Sequence, residues 1–560
     1  MWYDIDKDKR KLFGGNMSKV AKYLNEHILG EVMTDPQVRS HFATDLSVLT
    51  MTPEMVVYPR VTNDIRKVAR FAWQLAEKGH ILALTARGSG TDDTGGAIGK
   101  GAVIALSAHM NSIFEYDGKQ KLMRLQPGAN AGAVQDALSL HGATIPTLGD
   151  DARYTTVGGA VAYNTTITAP NGDILPEPWV YQLEVVLANG DVLQTERLSK
   201  RELNKRKGMQ GFEGDIYRKL DALIDDNKAI IDEKLYDLND TVGYSRIRDV
   251  KRKDGSFDLT PLIIGSQGTL GIISEMIVRA DFSHDAPLAG ILTFGDSNDA
   301  RDAVDAIAKT SPSFLEYVDS AFFEEALKHG KHYAFYDEAV RDGAASTILI
   351  TGYNNYSGRA RHKGIKRLGK IAKQFNARLT TSDDENSNDL AIARDVTSFV
   401  FVPSVEGEST PPLFDGAYVP RERFEDFVSA VAALAKKHRV NLPIYARPLQ
   451  GTVSTRPNLQ LKKVGDKQKI FKLLDDYANL VTAHNGYLIS QSNEGRVKTI
   501  AAYKQLDEDV IDLFHQIKAI FDPFGILNPG VKQPNTLKEL VANLRPSYDT
   551  ATHADFISHY

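Results

Sequence analysis

The chain of 560 residues carries 67 basic and 72 acidic side chains, a net charge of −5, and no cysteine. That length exceeds one compact core and predicts two large domains, and the near balance of charge gives no electrostatic reason for a nucleic-acid partner. Without cysteine the chain itself can form no disulfide, thiol nucleophile, iron–sulfur cluster or cysteine-ligated zinc, so a redox role calls for a bound organic cofactor.

The stretch 1–15 lacks an apolar h-region, so no signal peptide is expected. No segment approaches the ~20 apolar residues of a membrane span. The expected compartment is the cytoplasm; peripheral membrane attachment is left open, although no strongly basic amphipathic stretch argues for it. Residues 17–50 read as polar helix. Val56–Tyr58 predicts a strand and Thr62 a helix N-cap, followed by Ile65, Val68, Ala69 and Ala72 at helical spacing. Ile81–Thr85 and Ala102–Leu106 predict buried strands, with a glycine cluster between them. Ala131–Leu140 predicts a helix. Leu183–Leu187, Asn189-Gly190 and Val192-Leu193 predict a hairpin. Residues 198–255 are charged and partly helical, the pattern of a surface insertion. Leu262–Ile264 and Ile272–Val278 predict strands on either side of Gly265–Gly271.

Beyond about residue 285 the pattern changes. Strand-like runs precede amphipathic helices four times: Leu288–Phe294 then Asp299–Lys309, Ser346–Tyr353 then Arg359–Phe375, Gly416–Val419 then Arg421–His438, and Leu459–Lys463 then Asp466–Ala483. This predicts a second, α+β domain made of a sheet covered by helices. Val510–Phe521 predicts a helix, and 533–560 a mobile tail with one weak helix, Leu537–Leu544.

Three glycine segments carry the functional signal. In Arg87–Gly96, the residues Gly88, Gly90, Gly95 and Gly96 follow a strand, and clustered glycines let backbone N–H groups converge on a phosphate. The spacing fits neither G-x-G-x-x-G nor a P-loop, and a tight turn is the plainer alternative. Thr156–Asn164 places small residues at a helix start, where the dipole favours anions; close helix–strand packing is its alternative. Gly265–Gly271 has glycine at every third position, which a bulge or kink also explains.

Taken in this order the segments resemble the FAD-binding half of the vanillyl-alcohol-oxidase/p-cresol-methylhydroxylase (PCMH-type) flavoprotein superfamily. The resemblance runs through Pro59-Arg60-Val61-Thr62 with Val68, Arg87–Thr91 with Gly95-Gly96, Thr156–Asn164 and Gly265–Gly271, and resumes at Phe521-Asp522-Pro523 and Leu527-Asn528-Pro529-Gly530. It implies an α+β fold of two domains, with FAD between the first and a C-terminal cap. The expected division is an N-terminal helical segment (1–50), the FAD-binding domain (51–285, with 198–255 inserted), the cap or substrate domain (286–484), a return to the FAD domain (485–532) and the tail (533–560). The cofactor-binding residues it implies are Arg87, Gly88, Ser89, Gly90, Thr91, Gly95, Gly96, Gly149, Thr156, Gly158, Gly159, Ala162, Asn164, Gly268, Gly271, Ile272 and Asn528. Many relatives tether the flavin through a histidine after the first glycine loop. Thr91 stands there in this chain, and no cysteine offers a second tether, so FAD is expected to be non-covalent.

The closing segments look most like the D-lactate, glycolate and D-2-hydroxyglutarate dehydrogenase branch. That implies hydride transfer from a small 2-hydroxy acid to flavin N5, with an external acceptor: a quinone, a cytochrome, an electron-transfer flavoprotein or oxygen. Ala391–Arg394 resembles the branch's carboxylate-binding segment, so Arg394 is a substrate candidate, joined by Arg447 and Arg456. The branch's paired histidines are missing from 445–459 and 490–498, so no metal site is expected and the base is open, with Glu494 and Tyr445 as candidates. His484 reads as structural. Two alternatives remain: another flavoenzyme activity on this scaffold, such as a phenol or alditol oxidase or a synthase, and a catalytically degenerate FAD-binding protein.

Overall fold

Val56 and Val57 are buried on both faces, the mark of a strand inside a parallel sheet. In the computed structural model, which describes residues 18–145, 148, 153–164, 179–282, 288–328, 330–341, 343, 345–353, 357–382, 393, 396, 408–490 and 493–548, they lie in the first sheet. Its strands are β1 (Glu31–Met33), β2 (Met55–Tyr58), β3 (Leu84–Arg87) and β4 (Ala102–Ala105), in the order β1-β2-β4-β3. β4 runs parallel to both β2 and β3, and β1 is antiparallel to β2. The helix Thr62–Ala76 crosses over between β2 and β3, burying Ile65, Val68, Ala69 and Ala72 as their spacing predicts. Thr62 is not its cap. Val61 holds that position without a side-chain bond, and the Thr62 hydroxyl instead donates to Glu184 at 2.9 Å. The third strand also starts later than Ile81, which is 58% exposed, because pairing with β4 begins only at Leu84 opposite Ala102.

The second sheet is antiparallel: β5 (Ile113–Asp117), β6 (Leu122–Leu125), β7 (Val180–Val186), β8 (Val192–Gln194) and β9 (Ile272–Arg279), ordered β5-β6-β9-β7-β8. The expected β7–β8 hairpin is present. Leu262–Ile264 is not a strand: Thr260–Ile263 forms a buried helical turn opened by Pro261. Short apolar runs suit either state, and proline in the first turn decides for helix. Residues 198–255 are more than a surface insertion. Their helices Lys200–Lys207, Phe212–Asp226 and Lys228–Lys234 turn charges outward and bury Leu203, Ile216, Tyr217, Leu220 and Ile231.

The C-terminal domain is an antiparallel sheet of seven strands among the described residues. They are β10 (Leu288–Phe294), β11 (Phe314–Asp319), β12 (Thr347–Tyr353), β13 (Arg378–Thr381), β14 (Ala417–Tyr418), β15 (Ile444–Arg447) and β16 (Thr452–Thr455), ordered β13-β10-β12-β11-β15-β16-β14. The expected helices appear at Ser297–Ala308, Gly358–Gln374, Phe424–His438 and Val464–Ala483. Leu459–Lys463 is not a strand; Leu459 makes one bridge to Ser409, and the β15–β16 hairpin holds that place in the sheet. Gly358–Gln374 corrects another expectation: it is amphipathic and carries seven lysines and arginines with no acidic residue.

The return segment closes the first domain. Leu84 N–H donates to Ile526 at 2.7 Å and Asn528 N–H to Leu84 at 2.8 Å, beside β3. The described part of the tail is packed rather than loose. A Thr536–Glu539 capping box starts the helix Leu537–Ala542, and Thr50 N–H bonds Asn543 while Arg545 N–H bonds Val48. Among the described residues no helix is long and apolar enough to cross a membrane.

Candidate functional site

The fold brings the glycine segments and the return segment to one place. Gly265 and Gln267 N–H groups donate to Val161 and Ala162 at the end of the helix Val157–Tyr163, at 2.9 and 3.0 Å. Thr156 caps that helix by accepting from Gly159 N–H, and a Cβ on Gly88 would collide with the Thr156 hydroxyl. Asn528 links the rest: its amide donates to Gly96 and Gln267 carbonyls, both at 2.8 Å, and its Oδ1 accepts from Thr85 and Arg496. Gln267 reaches Asp92 and Thr94, and accepts from Gly495 N–H. Arg496 binds Gly95, Asn528 and Pro529. Burial pulls its guanidinium down to about 10, against the opposing charges of Asp45 and Asp92.

Within this assembly several backbone donors are left over. Asp92 accepts from the N–H groups of Thr94 and Gly96, yet among the described residues those of Gly88, Ser89, Gly90, Thr91 and Gly268 find no protein acceptor. Gly90 is buried, and a buried N–H without a partner is rare in folded proteins. Gly90 and Gly268 have φ of +82° and +71°, which glycine adopts without strain and which lets the chain present consecutive donors as an anion nest. The buried amide nitrogen of Asn164 is likewise without a partner. These groups fit the pyrophosphate and polar edge of a dinucleotide.

The other cofactor candidates serve differently. Arg87 is buried, donates to Thr44 and Ala97 carbonyls and lies over the Phe42 ring, so it braces the loop from behind. Gly95 and Gly96 back onto Leu49, Asp92 and Gln267, Gly158 onto Pro127, and Gly271 onto Val185. Ile272 is a core residue at the start of β9. Gly149 lies outside the described residues, as does Arg394.

Where the cap meets the first domain, a charged cluster forms that the sequence reading missed. Asp93 lies two residues beyond Thr91, and Tyr163, at the end of the second glycine helix, donates to its Oδ1 at 2.5 Å. Lys498 of the return segment stands 4.0 Å from Asp93 Oδ2 and donates to the Asp415 carbonyl of the cap at 2.7 Å. Arg456 holds the Asp415 carboxylate through two N–H groups at 2.9 and 3.1 Å. Burial, helped by Asp415 and Asp92, pushes the Asp93 carboxyl up to about 6, while Lys498 and the Tyr163 hydrogen bond pull it down. Burial and Asp93 hold the Tyr163 phenol well above its usual range, so it stays a neutral donor. The one sequence signal was the Asp92-Asp93 pair inside a glycine loop.

The remaining candidates fall elsewhere. Glu494 is fully buried against Lys532, whose ammonium also reaches the Thr241 and Gly243 carbonyls and Asn493. Gly243 N–H donates to the other oxygen of Glu494, so this carboxylate is a structural anchor and no longer a candidate base. Tyr445 and Arg447 pair with each other on β15, with Arg447 3.6 Å from Glu316. His484 bonds the Leu480 carbonyl and meets the Phe427 ring edge-on, a structural placement. Among the described residues no three His, Asp or Glu side chains are grouped to hold a metal.

Comparison with known proteins agrees with this geometry. Residues 53–196 match the FAD binding domain model, and 288–531 match the C-terminal domain of FAD linked oxidases. The chain is 24% identical over 557 residues to D-2-hydroxyglutarate dehydrogenase of Pantoea ananatis, covering 93% of this chain and 52% of that protein. It is 22% identical over 485 residues to glycolate oxidase subunit GlcD of Bacillus subtilis, covering 85% and 88%. It thus spans about half the length of the dehydrogenase relative. Among solved structures, 4-ethylphenol oxidase from Gulosibacter chungangensis aligns with TM-score 0.67 at 15% identity, over 93% of this chain and 97% of that one. A p-cresol methylhydroxylase aligns with TM-score 0.63 at 13% identity, over 92% and 96%.

Proposed function

This chain belongs to the FAD-linked oxidoreductases, and from that premise we propose that it binds FAD without a covalent tether and dehydrogenates a small 2-hydroxy acid or related hydroxylated anion. The observation that carries the reading is the nest of unbonded N–H groups at Gly88–Thr91 and Gly268, set against the Asn164 amide. These donors would hold the pyrophosphate, with Thr156, Gly159 and Ala162 shaping the wall beside it. Thr91 has no nucleophile of the tethering kind, which supports non-covalent FAD. Bound FAD supplies the two-electron acceptor for the substrate's carbinol hydrogen.

The chain's own residues do the rest. Lys498 and Arg456 stand at the domain junction, each facing a carboxyl group, Asp93 and Asp415, and Arg394, Arg447 and Arg456 are the candidates to hold the substrate's carboxylate. Reoxidation falls to an external quinone, cytochrome, electron-transfer flavoprotein or oxygen, since no cysteine is present to hold an iron–sulfur relay. The absence of the branch's histidines favours one second reading, a different flavoenzyme activity on this scaffold.

The test is the visible spectrum before and after acid precipitation, followed by anaerobic titration with a panel of 2-hydroxy acids. Flavin bands, full release of FAD into the supernatant and bleaching by one of the acids are expected. A protein that cannot be loaded with FAD would overturn the binding proposal; pigment left in the pellet would overturn the non-covalent one. Loaded protein that no 2-hydroxy acid bleaches would overturn the substrate class.

A further inference from the structure

A 2-hydroxy acid loses its carbinol hydrogen only as its hydroxyl proton leaves, and the histidines that would take that proton are missing from 445–459 and 490–498. The acids gathered at the junction differ in what they have free. Asp92 is occupied by Thr94, Gly96 and Gln267, Asp415 by Arg456, and Glu494 by Lys532. Asp93 is bonded at Oδ1 only, by Tyr163. Among the described residues nothing hydrogen-bonds its Oδ2, whose cation Lys498 stands 4.0 Å off, and its side chain keeps 14% of its exposure. It therefore presents one reachable carboxylate oxygen two residues past the anion nest, facing the cap.

We propose that Asp93 is the proton acceptor of the reaction, with Tyr163 and Lys498 as its positioning residues. The inference rests on the dehydrogenase reading above. The substrate O–H bond breaks and its proton passes to Asp93 Oδ2. The C–H bond breaks and its hydrogen leaves with the electron pair to the FAD already assigned as acceptor, and the C=O of a 2-oxo acid forms. Two electrons leave the substrate and two reach FAD, so no other reactant is needed. The groups that face Asp93 are Tyr163 from the second glycine helix, Lys498 from the return segment, Asp92 from its own loop and Asp415 from the cap, with Arg456 and Tyr548 also sensing its charge. A carboxyl lifted to about 6 is half-ionised near pH 6 and mostly ionised at neutral pH, which suits a general base.

The experiment compares the wild type with Asp93→Asn, Tyr163→Phe and Lys498→Met, all FAD-loaded. Rapid anaerobic mixing with the reducing 2-hydroxy acid gives the bleaching rate across pH. Infrared difference spectra follow the carboxyl band that Asp93→Asn removes. In the wild type the rate rises with pH through about 6, with the band ionising in step. Asp93→Asn keeps FAD and its spectrum, slows bleaching by roughly 10² to 10⁴ and flattens that rise. Tyr163→Phe and Lys498→Met move the rise to higher pH, because each wild-type group favours the ionised form; a merely structural role would leave it in place. Bleaching of Asp93→Asn at the wild-type rate with an unchanged profile overturns the assignment and leaves the dehydrogenase reading standing. If no 2-hydroxy acid bleaches the wild type, the dehydrogenase reading fails instead. The infrared titration then decides for Asp93: ionisation near pH 6 keeps it as the tuned base of another reaction, and ionisation in the ordinary carboxylate range overturns it.

Discussion

Replacing Asn528 by alanine tests whether one side chain holds the cofactor cradle together. Asn528 is 1% exposed, and its amide is the donor to both the Gly96 and the Gln267 carbonyl at 2.8 Å. Truncation leaves two buried carbonyls without that donor, at roughly 1.5 kcal/mol each. Arg496 keeps Gly95 and Pro529 as partners, so its share is small. Asn528 also has φ of +43°, a left-handed conformation that asparagine tolerates better than alanine, by about 1 kcal/mol. The sum is about 4 kcal/mol. If the first and third glycine segments must stay joined to hold FAD, the dissociation constant rises by roughly 10³. Asn528→Gly removes the strain but not the orphaned carbonyls, so it should weaken binding about fivefold less than alanine does. The assay is FAD fluorescence quenching on flavin-stripped protein, with far-UV circular dichroism to confirm that both variants fold. Alanine binding FAD within twofold of wild type would refute the staple; equal loss in alanine and glycine variants would refute the strain share.

Lys532→Met removes the cation paired with Glu494 in a fully buried site, and should cost about 3 to 5 kcal/mol in urea unfolding; adding Glu494→Gln should recover much of it. A midpoint unchanged in Lys532→Met would show that the pair is not the anchor described. Asp45 supplies a pH dependence. Burial, helped by Asp92 and opposed by Ser47 and Arg87, pushes its carboxyl up to about 7, whereas an unfolded aspartate titrates near 3.9. The folded protein therefore holds a proton that the unfolded chain has released. The resulting stability is complete below about pH 4 and is lost as pH rises through about 7. Urea midpoints should fall between about pH 4 and pH 7 and flatten in Asp45→Asn; an equally steep fall in that variant would refute the assignment.

Much of this fold is written locally. The helical spacing of Ile65, Val68, Ala69 and Ala72, the Asn189-Gly190 turn and three of the four strand–helix pairs after residue 285 appear where the sequence predicts them, because each depends on neighbours a few residues apart. The same holds for the order of the glycine segments, which was enough to point to an FAD-binding domain. Where local pattern leaves two states equally suited, the surroundings chose: Leu262–Ile264 was absorbed into a buried helical turn, and the charged stretch 198–255 turned an apolar face inward.

The division of labour within the site was decided by tertiary structure alone. Sequence grouped Arg87, Gly90, Gly271 and Asn528 as cofactor residues, yet only approach in space separates a glycine whose N–H stays free from one that backs onto Val185, or an asparagine that ties segments 432 and 261 residues away. Glu494 and Asp93 are both plain acidic residues in the sequence. Lys532 lies 38 residues from Glu494 and neutralises it, while Lys498 stops 4.0 Å short of Asp93 and leaves an oxygen open. An ion pair's partner is set by how the chain closes on itself, and that is why a local pattern could announce the cofactor but not the base.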